Sequence, residues 1–236
     1  MPVESTIIKQ DQTQADAILE FYQKLQPAFN LPEGVIIMNP FHNSTSWGMT
    51  ESFYKKFYND KRQRIFIFGI NPGRFGGGVT GIPFTDPIRL ESDCGIKNEC
   101  KKISELSSIF IYEVVKGYGG VDKFFGDFFI TALSPLGFTR SGVNLNYYDD
   151  KELLKNSETF IVQCIQQQQR TIHSSANCFC LGEGVNFKIF NKLNDHYHFF
   201  KEIFPLPHPR WIMQYRRKKL NEYIELYVEA LKRIVA

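Results

Sequence analysis

The segment Arg64-Ile-Phe-Ile-Phe-Gly-Ile70 runs straight into a glycine-rich loop, and no other feature narrows the fold as much. Its apolar residues do not alternate with polar ones. A strand with one wet face would show that alternation, so this one is expected in a parallel sheet covered on both sides. Phe128-Phe-Ile-Thr-Ala-Leu133 and Asn177-Cys-Phe-Cys-Leu181 repeat the pattern. Gly34-Val-Ile-Ile-Met38 reads as a short strand, and Phe199 to Phe204 as a last one.

Helical periodicity fills the intervals between the strands. Ala15, Ile18, Leu19, Tyr22 and Leu25 share a face, with Asp11 and Gln14 as the expected start. Phe53, Tyr54, Phe57 and Tyr58 mark a second helix. Ile103, Leu106, Ile109, Phe110 and Val114 mark a third, ended by Gly117, Gly119 and Gly120. Residues 150–170 form another, and a further helix starts near Gly182. Leu220, Tyr223, Leu226, Tyr227, Ala230, Leu231 and Ile234 line the last. Strands alternating with helices predict an α/β fold with three layers, α/β/α, around a central, mostly parallel four-stranded sheet. No linker or repeat divides the 236 residues, so residues 1–236 are expected to form a single domain.

Hydrophobic residues make up 43% and charged residues 22%, a globular balance. No apolar run reaches the roughly 18 residues of a membrane span. The start lacks a signal-peptide pattern, so a cytosolic protein is expected. The five cysteines include no CxxC pair; they are expected to be structural thiols, with no metal or cofactor. A net charge of +3 does not announce a nucleic-acid binder. The charge is clustered, however, with Arg210, Arg216, Arg217, Lys218 and Lys219 within ten residues.

Sites in open parallel sheets form at the carboxyl ends of the strands. That singles out three loops. The first is Gly69-Ile-Asn-Pro-Gly-Arg-Phe-Gly-Gly-Gly-Val-Thr-Gly-Ile-Pro-Phe-Thr-Asp86, which fits neither nucleotide fingerprint, GxGxxG nor GxxxxGK[ST]. Asn71 stands one residue past the strand, where its amide can hold a water. Phe84 can offer a flat ring to a planar ligand. The second loop holds Ser134 at a strand end, then a polar stretch of Thr139, Arg140, Ser141 and Asn144 suited to phosphate oxygens. The third holds His208 between Pro207 and Pro209, which restrict its backbone.

Taken in this order, the loops resemble those of the uracil-DNA glycosylase superfamily. The similarity is greatest to the branch of single-strand-selective monofunctional uracil-DNA glycosylases, and within it to the bacterial second subfamily. The first loop carries the resemblance through Gly69, Asn71-Pro-Gly73, Phe75-Gly76 and Thr80-Gly-x-Pro-Phe84, and His208-Pro209 supplies the second signature. Ile37-Met-Asn-Pro40, Leu133-Ser-Pro-Leu136 and Ser141-Gly-x-Asn-Leu145 are weaker echoes.

The resemblance implies a glycosylase-like fold and a repair enzyme that flips uracil from DNA and cuts its N-glycosidic bond. No cofactor is implied, and a monomer suffices. Asn71 would position the attacking water and His208 would hydrogen-bond the uracil O2. Gly69, Ile70, Pro72, Gly73, Phe84 and Ser134 would bind the base. Arg74, Thr139, Arg140, Ser141, Asn144, Arg210, Trp211, Arg216 and Arg217 would contact DNA, with Arg210 and Trp211 as candidates for a duplex wedge. Asp86 is a possible helper. Ala132 stands where the family usually has an asparagine that reads the pyrimidine edge. Two other readings remain open on this scaffold: a nucleotide or phosphate-ester enzyme with the glycine-rich loop as anion cradle, and a lesion-binding protein that does not cut.

Overall fold

The structure, a computed structural model, describes residues 12–235. In chain order the helices are α1 (Gln14–Gln23), α2 (Ser44–Phe57), α3 (Gly77–Thr80), α4 (Pro87–Ser92), α5 (Leu106–Tyr118), α6 (Val121–Asp127), α7 (Lys151–Thr171), α8 (Val185–Tyr197), α9 (Pro209–Tyr215) and α10 (Leu220–Val235). The strands are β1 (Val35–Met38), β2 (Arg64–Gly69), β3 (Phe128–Ala132), β4 (Gly137–Arg140), β5 (Val143–Leu145), β6 (Ser174–Leu181) and β7 (Glu202–Leu206).

Four strands form the central sheet in the order β3-β2-β6-β7. Every pairing in it is parallel. All six residues of β2 are buried, as its unbroken apolar run requires. Phe66 and Phe68 stack on one face, where Phe66 meets Phe129 edge-on and Phe68 meets Phe190 of α8. Tyr58, just past α2, packs on Phe129. On the other face Phe128 packs against Tyr118 of α5 and Phe179 of β6. These contacts make the three layers, and one buried cluster runs from Ala15 to Leu231.

The chain moves from β2 outward to β3, then crosses to the opposite side for β6 and β7. The strand order thus reverses beside β2, and a crevice opens at the carboxyl ends of the strands.

Several expected features shift. The cap of α1 is Thr13, whose hydroxyl accepts from the Asp16 N–H while the Asp16 side chain reaches back. Asp11 lies outside the described residues. Gly117 is inside α5, and Gly119, at φ 128°, ends that helix. The last strand starts at Glu202, three residues later than Phe199. Leu226 is exposed on α10, while Tyr227 and Leu231 are its buried residues.

The largest departure is a second sheet. β1, β4 and β5 form an antiparallel three-stranded sheet separate from the central one. The polar stretch from Thr139 to Asn144 is therefore a β-hairpin rather than a loop. Ser141 and Gly142 turn it with φ of 49° and 72°. Positive φ at both central residues matches the twist of flanking strands, which is why such turns close two-residue hairpins.

Cys94, Cys164, Cys178 and Cys180 are buried and Cys100 is half-buried; all five are free. Burial pushes the Cys94 and Cys180 thiols up to about 12. No group of metal-binding side chains occurs, and no helix is long and apolar enough to cross a membrane, among the described residues.

Candidate active site

The crevice holds a cavity of about 80 Å³, room for several waters. Asn71 stands after β2, Ala132 at the end of β3 and His208 after β7, and all three line it. Residues 71 and 208, far apart in sequence, therefore share one slot. Phe84 lines it too, its ring centroid 6.3 Å from that of His208.

Phe84 has φ +54°, a conformation rare for a bulky residue. Its ring lies against Gly69: a Cβ on Gly69 would sit 2.7 Å from two ring carbons. A larger residue at 69 would drive the ring out of place, so Gly69 supplies close approach. Ile70 and Pro72 line the same slot, as does Gly73.

The Asn71 amide is fixed by backbone. Its Nδ2 donates to Leu145 O at 3.2 Å, and its Oδ1 accepts from Tyr147 N–H at 3.0 Å. These two bonds define which end is oxygen. The oxygen has two lone pairs, so one remains for a water.

His208 caps α9, and its Nδ1 accepts the Arg210 N–H at 3.2 Å. A ring nitrogen that accepts carries no proton. The neutral ring is therefore protonated at Nε2, which makes Nε2–H a donor. Burial and the neighbouring Arg210 charge hold the imidazole down at about 4. Tyr227 of α10 donates its hydroxyl to the Pro207 carbonyl and steadies the approach to His208.

Sequence reasoning missed Glu105, which immediately precedes α5 and lines the slot with Ser107. Its carboxyl occupies the space that side chains on Gly73 and Gly76 would need, at 2.5 and 2.0 Å from their notional Cβ positions. Ser108 Oγ donates to its Oε2 at 3.2 Å. Burial first, then the nearby Asp86, pushes this carboxyl up to about 7, against Ser108 and Arg210, which pull it down. The available signal was Ser104-Glu105 before an apolar helical run, which announces a helix start and nothing more. Asn146 and Pro83 were missed as well.

Some expected site residues stand elsewhere. Ser134 is fully buried and does not line the slot; its hydroxyl donates to Leu136 O at 2.8 Å, so it is a turn residue and not a base contact. Arg140 is paired with Asp150 at 2.7 Å, tying the hairpin to the start of α7. Asp86 is buried and fully occupied as a cap, accepting from Ile88, Arg89 and Glu105 N–H groups. Asn144 lines the slot and accepts from Arg74 N–H, which makes it an inner residue. The Arg74 guanidinium reaches the Gly142 carbonyl and lies over Phe75.

A wider groove of about 540 Å³ continues from the slot and shares Ile70, Asn146, His208 and Arg210 with it. Its walls add Tyr148, Val185, Trp211 and Tyr215. Arg216 lies over the Trp211 ring at 4.7 Å. Thr139 is half-buried, and Ser141 and Arg217 are exposed; none of the three lines either cavity.

The model of the Uracil DNA glycosylase superfamily matches residues 55–232, a span holding Asn71, Phe84 and His208. The chain belongs to that superfamily. The crystal structure of wild-type Pedobacter heparinus SMUG2 superposes on the glycosylase with a TM-score of 0.91 at 43% sequence identity. The alignment covers 94% of this chain and 98% of that one. No curated protein matches. The chain is a SMUG2-like, monofunctional uracil-DNA glycosylase that acts on DNA in repair.

Proposed function

We propose that the slot receives an extruded uracil and that Asn71, Phe84 and His208 carry its hydrolytic release. The single observation behind this reading is their meeting in one cavity at the strand ends. A base within a duplex is unreachable, so the nucleotide must swing out at a cost of a few kcal/mol. Stacking on Phe84 returns roughly 1–3 kcal/mol. Phosphate contacts and a wedge offset more. Arg210 and Trp211 border the outer groove and suit that part. Exposed Arg216 and Arg217 supply positive charge nearby, and Arg74, Thr139 and Ser141 support the strand on the hairpin side.

The bond from the sugar carbon to the base nitrogen breaks first and leaves an oxocarbenium sugar. The base departs with the electron pair. His208 Nε2–H donates to the oxygen that takes up this charge, and losing such a donor typically costs on the order of 10²-fold. Water held by Asn71 Oδ1 then adds to the cation. Its proton goes to solvent, because an amide is too weak a base to keep it. The uracil anion takes up a proton from solvent, and the products are free uracil and an abasic sugar. No lysine lines the slot, which fits hydrolysis rather than a covalent amine intermediate.

One copy of the chain holds every slot residue, which supports action as a monomer. The natural setting is the compartment that holds DNA, here the cytosol. The test is incubation with a uracil-containing oligonucleotide followed by alkali. Cleavage at the uracil position is expected. An intact strand, with tight binding of free nucleotides instead, rejects the reading in favour of a nucleotide enzyme.

A further inference from the structure

The side chain at the end of β3 cannot read a pyrimidine edge. Ala132 brings no polar side-chain atom, and Ser134 has turned away. The amide of Asn71 is bound to backbone at both ends, and the Asn144 oxygen accepts from Arg74. His208 offers one donor. Ser107, the Asn144 Nδ2 group, Asn146 and Arg210 bring further polar groups to the wall, and Glu105 adds an acid: one of its oxygens accepts from Ser108, and no hydrogen bond reaches the other from any described residue. The glycines at 73 and 76 leave the space in which this carboxyl sits.

We propose that Glu105, in its neutral form, hydrogen-bonds the carbonyl and imide edge of the extruded uracil and so sets recognition of the base. The proposal rests on the glycosylase reading above. A carboxylic acid presents an O–H donor beside a C=O acceptor. Uracil presents an oxygen beside an N–H, so the two match as a carboxamide would. A carboxylate offers acceptors only. It faces the uracil oxygen with like charge and opposes the negative charge that builds on the leaving base.

The surroundings hold the two forms in balance. Asp86, at the start of α4, disfavours the anion, while Arg210 of α9 and the Ser108 hydroxyl favour it. His208 across the slot is neutral. Bound DNA removes water and adds phosphate charge, and both favour the neutral acid.

The second-order rate constant for uracil release from a single-stranded oligonucleotide at subsaturating enzyme, which reports the ionisation of the free protein, is measured from pH 6 to pH 8 and tests this. The wild-type rate should fall about tenfold as Glu105 ionises near pH 7. In Glu105→Gln the decline should vanish, because the amide keeps a donor and an acceptor but cannot titrate. Glu105→Ala should lose about tenfold to a hundredfold at pH 6. Thermal melts check that both variants fold, and the isosteric Gln variant decides alone if Ala does not. A flat wild-type profile, or a Gln variant with the wild-type slope, overturns the proposal. Absence of uracil release at every pH overturns the glycosylase reading with it and is distinguished by the missing abasic product.

Discussion

At residue scale, the site depends on what is absent as much as on what is present. Gly69 has no side chain because the Phe84 ring needs that space. Gly69→Ala is expected to push the ring aside and reduce uracil release about tenfold or more, with the loss of stacking as its cause. Single-turnover kinetics beside a thermal melt separate this from unfolding. His208 adds a pH effect on stability. Its pKa is about 4 in the fold, below the ordinary 6.5, so the unfolded chain binds a proton that the native state refuses. Stability at this position is full above pH 6.5 and falls as pH drops toward 4, by up to about 3 kcal/mol. Urea melts at pH 7 and pH 5 should show a larger loss for wild type than for His208→Asn. Asn71, Phe84 and His208 were legible because a strand end, a glycine-rich loop and a proline-flanked histidine each announce themselves locally. Glu105 and the unavailability of Ser134 were not legible, because both depend on contacts that only the folded chain creates.

At the scale of elements, β2 is held at both ends. Its carboxyl end opens on the slot. At its start Arg64 is fully buried yet satisfied: Asp60 takes both terminal guanidinium nitrogens at 2.8 and 2.9 Å, and Phe125 O, Gln14 Oε1 and Phe57 O take further donors. The group also lies over the Tyr58 ring at 4.6 Å. This side chain joins α1, the end of α2 and α6 to the central strand. Arg64→Ala is expected to cost about 3–5 kcal/mol, because it strands several buried acceptors. Chemical denaturation gives the value, and a loss below about 1 kcal/mol would show that the network is dispensable. The buried strands were readable from their unbroken apolar runs. The hairpin of β4 and β5 was not, because Thr139, Arg140 and Asn144 are polar and only the Ser141-Gly142 pair signals a turn.

At the scale of the whole molecule, four parallel strands and a reversal of strand order bring three distant loops to one edge of the sheet. The order of strands and helices revealed the layers in advance. It did not reveal the second sheet, whose pairing of β1 with β4 joins segments about a hundred residues apart. Helices on the far side reach the site as well: Tyr227 of α10 binds the Pro207 carbonyl and is edge-on to Phe110 of α5. Tyr227→Phe should therefore slow uracil release with only a small loss of stability, of about 1 kcal/mol. Parallel activity and melting measurements check the separation.

The most direct test of the account is the single-turnover rate of uracil release by Asn71→Ala and His208→Ala, set against wild type on the same oligonucleotide. Each substitution is expected to slow release by about 100-fold or more while the variant still folds and binds DNA. Rates near wild type in both would show that the chemistry is done elsewhere.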